Sequence, residues 1–112
     1  MSTGAVLTRW LAAFALTQVF EVPLYLRAGA GWRTAFLASA LTHPVVWFVF
    51  PRLLRAELGY WSMVAMAEIF AVGAEALWLH ANGVRRALPW SLLANATSFG
   101  CGLLIRAAFG WP

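Results

Sequence analysis

The sequence predicts an all-α, polytopic integral membrane protein: an antiparallel bundle of four transmembrane helices. Three observations lead there. Of the 112 residues, 62% are hydrophobic and 11% are charged, and the mean hydropathy is +0.75, so too little polar surface is left to coat a water-soluble globule. Four apolar stretches approach the roughly 20 residues that carry a helix across about 30 Å of hydrocarbon. These stretches are long and rich in Leu and Ala, without the period-two alternation of a membrane barrel strand.

The whole chain, 1–112, reads as one membrane domain. Its first span is expected over 6–26, ended by Arg27 and the turn Ala28-Gly29-Ala30-Gly31. The second, over 34–50, stops at Pro51, which has no backbone N–H to donate and opens a polar link containing Arg52, Arg55 and Glu57. The third covers 59–79, and Asn82-Gly83 with Arg85 and Arg86 make the next turn. The fourth covers 88–109, with Pro89 at a helix-start position. Trp10, Trp32, Trp61, Trp78, Trp90 and Trp111 fall near span ends, where an amphipathic ring meets the headgroup layer; Trp47 is the exception. Arg9 precedes an apolar run as in a secretory signal, but no small-residue cleavage site follows, so the segment is expected to be retained.

Four spans place both termini on one side of the membrane. The arginines divide evenly: Arg9, Arg52, Arg55 and Arg106 on the terminal side, and Arg27, Arg33, Arg85 and Arg86 on the side called here the loop side. This balance sets no orientation. The expected location is a multi-pass position in a bacterial-type inner (plasma) membrane.

Composition also excludes function classes. The net charge of +4 is spread over span ends instead of one face, so lipid headgroups, not nucleic acid, are the expected partner. The single cysteine, Cys101, allows neither an intrachain disulfide nor a thiolate metal cluster. Phosphate-binding glycine loops, paired cysteines and a serine nucleophile elbow are all missing from the sequence.

The chemistry is carried by polar residues placed where they are costly. Three of the four acidic residues, Glu21, Glu68 and Glu75, fall inside spans, as does His43. A carboxylate facing lipid costs several kcal/mol, so these groups should face the bundle interior, a partner or a water-filled cavity. At about 1.5 Å of rise per residue, Glu21 and Glu75 should lie roughly 6–8 Å from the loop-side boundary, and Asn95 and His43 roughly 10–14 Å from it. Glu68 is nearer the midplane. Residues seven apart differ by about 20° around a helix, so Glu68 and Glu75 should share a face. Thr17, Glu21 and Tyr25 recur at spacings of four with Gln18 alongside, and Ser39, His43 and Trp47 form a row on the second span. Ser91, Asn95, Ser98 and Gly102 make a small, polar stripe that reads as an interior seam.

Pro23 and Pro44 each free the carbonyl four residues earlier, that of Val19 and that of Ala40, beside Glu21 and His43. Such a kink supplies a carbonyl that coordinates a cation or relays a proton. Structural roles compete with this reading. Glu21 or Glu75 could pair with Arg27, His43 could satisfy a neighbouring carbonyl, and the serine stripe could be packing alone.

Three functions follow. The leading one is a proton- or cation-coupled transporter or channel component that uses the intramembrane polar site Glu21, His43, Glu68, Glu75 and Asn95, supported by Thr17, Gln18, Tyr25 and Ser98. A second is a membrane-embedded enzyme with a divalent metal held by Glu21, His43 and Glu75, although no His-x-x-x-His or Glu-x-x-His pair is present. A third is a noncatalytic subunit, in keeping with a homo-oligomer or a larger membrane partner for so small a chain.

Overall fold

A computed structural model describes residues 2–112. Its helices are α1 (Thr3–Arg27), α2 (Trp32–Pro44), a π-helical turn (Val45–Val49), α3 (Phe50–Leu58), α4 (Tyr60–Ala81) and α5 (Ala87–Phe109). The α2–α3 segment is continuous, and it and the other three helices are each long and apolar enough to cross a membrane. The protein is therefore a four-helix, multi-pass membrane bundle, 40 Å in its longest dimension and 28 × 22 Å in the others. Around the bundle α1 packs on α2, α2 on α4, α4 on α5 and α5 back on α1.

Local sequence explains the helix ends. At the start of α1, Ser2 Oγ accepts from the Ala5 amide at 3.1 Å, satisfying one of the free amides of the first turn. The two loop-side turns share one construction. Gly29 (φ 101°) and Gly83 (φ 82°) adopt left-handed conformations that only glycine takes without strain. The following amides reach back five residues, Ala30 N to Tyr25 O and Val84 N to Leu79 O, each at 3.0 Å. All four of those residues are buried. Each turn thus tucks a small apolar side chain against the last inward-facing residue of its helix, and Ala35, Ala38, Ala87 and Ala94 complete this apolar cap.

The second span departs from expectation. The helix does not stop at Phe50 but runs on to Leu58, with Pro51 in the first turn of α3. Two prolines seven residues apart bracket the π turn, in which the Phe50 amide bonds to Val45 O. The wider turn absorbs the steric conflict of the proline rings, so neither ends the rod. Arg52, Arg55 and Glu57 consequently sit on a helical overhang, all exposed, and not in a loop.

Four of the seven tryptophans show two kinds of placement. Trp32 and Trp61 are outward-facing, 66% and 65% exposed. Trp10 and Trp78 are half-buried and engaged within the bundle. Trp10 packs against Phe14, His43 and Phe48, and Trp78 Nε1 donates to Thr34 O at 3.0 Å, tying α4 to the first turn of α2.

Candidate functional site

Each helix turns a narrow stripe of small and polar residues inward. On α4 the buried positions Met63, Ala67, Ala71, Glu75 and Leu79 recur every four residues, and on α2 Ala35, Ala38, Ser39 and Thr42 follow the three-four spacing of one helix face. Alanine at the neighbouring positions brings the backbones close, so the short polar side chains meet at the axis. Glu21 and Tyr25 enter from α1, and Ser91 and Asn95 from α5.

Glu75 is the centre of this cluster. Its Oε1 accepts from Tyr25 Oη at 2.6 Å and from Asn95 Nδ2 at 3.3 Å, and its Oε2 accepts from Thr42 Oγ1 at 2.8 Å. Asn95 is itself held by its own helix, donating to Ser91 O at 2.9 Å, while Ser91 Oγ donates to Val72 O at 2.8 Å. Glu21 is 1% exposed and lies beside Glu75. Its Oε2 accepts from Ser98 Oγ at 2.5 Å, whereas its Oε1 is buried without a partner among the described residues. Ser39 Oγ is likewise buried and unpartnered. The donors to both carboxyls are hydroxyls and an amide; no arginine is among them. Pairing of Glu21 or Glu75 with Arg27 is thereby corrected, because Arg27 is exposed at the end of α1.

Of the expected site residues, Glu21, Tyr25, Glu75, Asn95 and Ser98 are brought together. Glu68 is not part of the hydrogen-bonded cluster. It is half-buried and lines an open, largely apolar groove of about 540 Å³ between α4 and α5, with Trp61, Val72, Leu92, Asn95 and Phe99. Gln18 turns toward α2, where its Nε2 donates to Phe36 O at 3.1 Å. Thr17 is half-buried and outside the network. At Gly102 an added Cβ would meet nothing within 4 Å, so close helix approach is not the reason for glycine there.

His43 is the main correction. It does not join Glu21 and Glu75, and among the described residues no three His, Cys, Asp or Glu side chains are grouped to hold a metal ion. The proposed metal trio of Glu21, His43 and Glu75 is therefore not formed. The imidazole instead stacks on Phe14 at 5.5 Å and on Trp47 at 6.0 Å between ring centroids, with Trp10 at 6.2 Å. Consecutive helical residues point about 100° apart, so when Thr42 faces Glu75 its neighbour faces the α1 aromatics. Ser39 belongs with Thr42 and not with the His43–Trp47 row. Thr42 was missed by sequence reasoning, and its signal was the three-residue spacing from Ser39.

No protein-family model, curated protein or solved structure matches the chain, and the geometry of this buried cluster carries the functional reading.

Proposed function

We propose that the protein is a proton- or cation-coupled transporter or channel component whose exchange site is the Glu21–Glu75 pair. The observation that carries the reading is two adjacent buried carboxyls served only by neutral donors. Two uncompensated carboxylates in a low-dielectric interior are costly by several kcal/mol per ion, so the pair holds a proton or a cation in the place of a basic side chain. The donors favour one position for it. Glu75 accepts three hydrogen bonds, which suits an ionised carboxylate that only accepts. Glu21 Oε1 has no donor among the described residues, and in this reading Glu21 carries the exchangeable charge.

The packing bears on access. The apolar cap formed by Tyr25, Ala30, Leu79, Val84 and their neighbours covers the loop-side end of the cluster. Asn95, which donates to Glu75, also lines the lateral, largely apolar groove in which Glu68 stands, and we take Glu68 as the outer carboxyl of the site. Assembly with further copies or with a larger membrane partner belongs to the same reading, because a bundle 28 × 22 Å wide offers little for a moving half to lean on. A helical bundle also fits an inner-membrane setting, where outer-membrane proteins would be barrels.

The test is flux in liposomes containing the purified protein, with an internal pH dye and an imposed potassium diffusion potential, repeated with sodium replacing potassium outside. Glu21→Gln and Glu75→Gln should each lower the flux at least tenfold while leaving the helical circular dichroism unchanged. Flux indifferent to both substitutions would overturn the reading.

A further inference from the structure

A second constellation lies at the opposite end of the molecule, independent of the carboxylate pair. At the corner between α3 and α4 the chain turns on Gly59, whose φ of 76° is one that L side chains rarely adopt. The turn sets Tyr60 at the start of α4, 38% exposed. Two arginines from different helices converge on this one side chain. The Arg55 guanidinium lies 5.6 Å from the centre of the Tyr60 ring, and Arg106 Nη1, from the last turn of α5, donates to Tyr60 Oη at 3.4 Å. Both arginines are exposed, and Arg52, one turn before Arg55 on α3, is exposed as well.

Two guanidiniums held on one tyrosine concentrate positive charge at one point of the surface, which favours an anion there. The tyrosine lowers the cost by offering a π face to one guanidinium and an acceptor to the other. It also holds both forks in place, which reduces the ordering cost of a ligand that engages them. The depth of the constellation identifies the anion. Tyr60 and Trp61 stack edge to face at 5.0 Å, and Trp61 points outward at 65% exposure, as an aromatic at the headgroup layer does. Next to Trp61, the side chains of Val64, Ala65 and Ile69 line the open, largely apolar groove between α4 and α5, a surface suited to acyl chains.

We propose that Arg55 and Arg106, clamped by Tyr60, form a binding site for the phosphate group of an anionic phospholipid. The guanidinium forks meet the phosphate oxygens with charge-assisted hydrogen bonds, and the acyl chains run down the outer face of α4 beside Trp61. A bound lipid would bridge the α3 overhang to the C-terminal end of α5.

The experiment is native mass spectrometry of the detergent-purified chain offered dioleoylphosphatidylglycerol or dioleoylphosphatidylcholine, lipids with the same acyl chains. Wild-type protein should retain the glycerol lipid in clear preference. Arg55→Gln and Arg106→Gln should each lower that retention about fivefold, the effect of one arginine at an anionic surface, while Arg85→Gln on the loop side should not. Tyr60→Phe, which keeps the ring and both charges but releases Arg106 from the hydroxyl, should lower retention less than Arg106→Gln does. Arg55→Lys and Arg106→Lys, with the charge kept, should hold at least half of the wild-type retention and guard against loss through misfolding. Equal retention of the two lipids, or glutamine variants no weaker than Arg85→Gln, would overturn the proposal. Displacement of the lipid by excess inorganic phosphate would also overturn it, by showing a generic anion site.

Discussion

Replacing Tyr25 by Phe removes one oxygen from the centre of the bundle and little else. That oxygen donates the shortest of the three hydrogen bonds to Glu75, at 2.6 Å, and stands 3.5 Å from Asn95 Nδ2. The ring stays in its place against the apolar cap, and Asn95 keeps Ser91 O and Glu75 as acceptors, so no second group is orphaned. A hydrogen bond to an ionised group contributes about 1.5–3 kcal/mol, whereas side-chain hydrogen bonds between membrane helices average about 0.6 kcal/mol. If Glu75 carries the charge, Tyr25→Phe should cost about 2 kcal/mol, roughly 30-fold in the folded-to-unfolded ratio. In a Glu75→Gln background the same change should cost only the ordinary 0.6 kcal/mol or so, leaving a coupling of about 1.4 kcal/mol. The assay is reversible unfolding in mixed micelles of mild detergent and dodecyl sulfate, followed by tryptophan fluorescence, for the four proteins of the cycle. A coupling near zero, with a cost of about 0.6 kcal/mol in both backgrounds, would refute the assignment of Glu75 as the charged acceptor and with it the placement of the exchangeable charge on Glu21.

Other predictions follow from single contacts. His43→Phe keeps the stacking on Phe14 and Trp47 and should leave flux and thermal midpoint close to wild type, whereas His43→Ala opens a cavity among those rings and should cost about 2–4 kcal/mol in the same unfolding assay. Trp78→Phe loses the bond to Thr34 O and should destabilise by about 1 kcal/mol without altering flux, since it sits in the apolar cap and not at the carboxyls. Mass spectrometry of metals on the purified protein should find no divalent ion in near-stoichiometric amount that His43→Ala releases; such a release would restore the trio of Glu21, His43 and Glu75.

Depth along the membrane normal was legible in the residues, because helix rise is constant and the turn residues mark where each span begins. That count placed Glu21, Glu75 and Asn95 in the same half of the membrane, and they meet. Bearing around the helix was not legible to the same degree. His43 and Thr42 differ by one residue and by about 100°, and which of them faces Glu75 depends on how α2 is rotated against α1 and α4. Glu68 shares its side of α4 with Glu75, yet the seven-residue interval is enough, with the approach of α5, to put it in a lateral groove. Pro51 misled for a different reason: a proline ends a helix only if the turn before it cannot widen, and here a π turn does.

Composition and spacing by themselves determined that this chain lives in a bilayer as four helices, because hydrocarbon accepts only segments that satisfy their own backbone and carry few charges. They also determined that its interior holds carboxyls, since no other place in a membrane accommodates them. Tertiary structure alone decided that Glu21 and Glu75 stand side by side with Tyr25, Thr42, Asn95 and Ser98 as their donors, and that His43 belongs to an aromatic nest. The physical reason is that hydrophobic burial sets which residues leave water, while the choice of neighbours inside is made by packing and hydrogen-bond geometry between helices, which no single helix encodes.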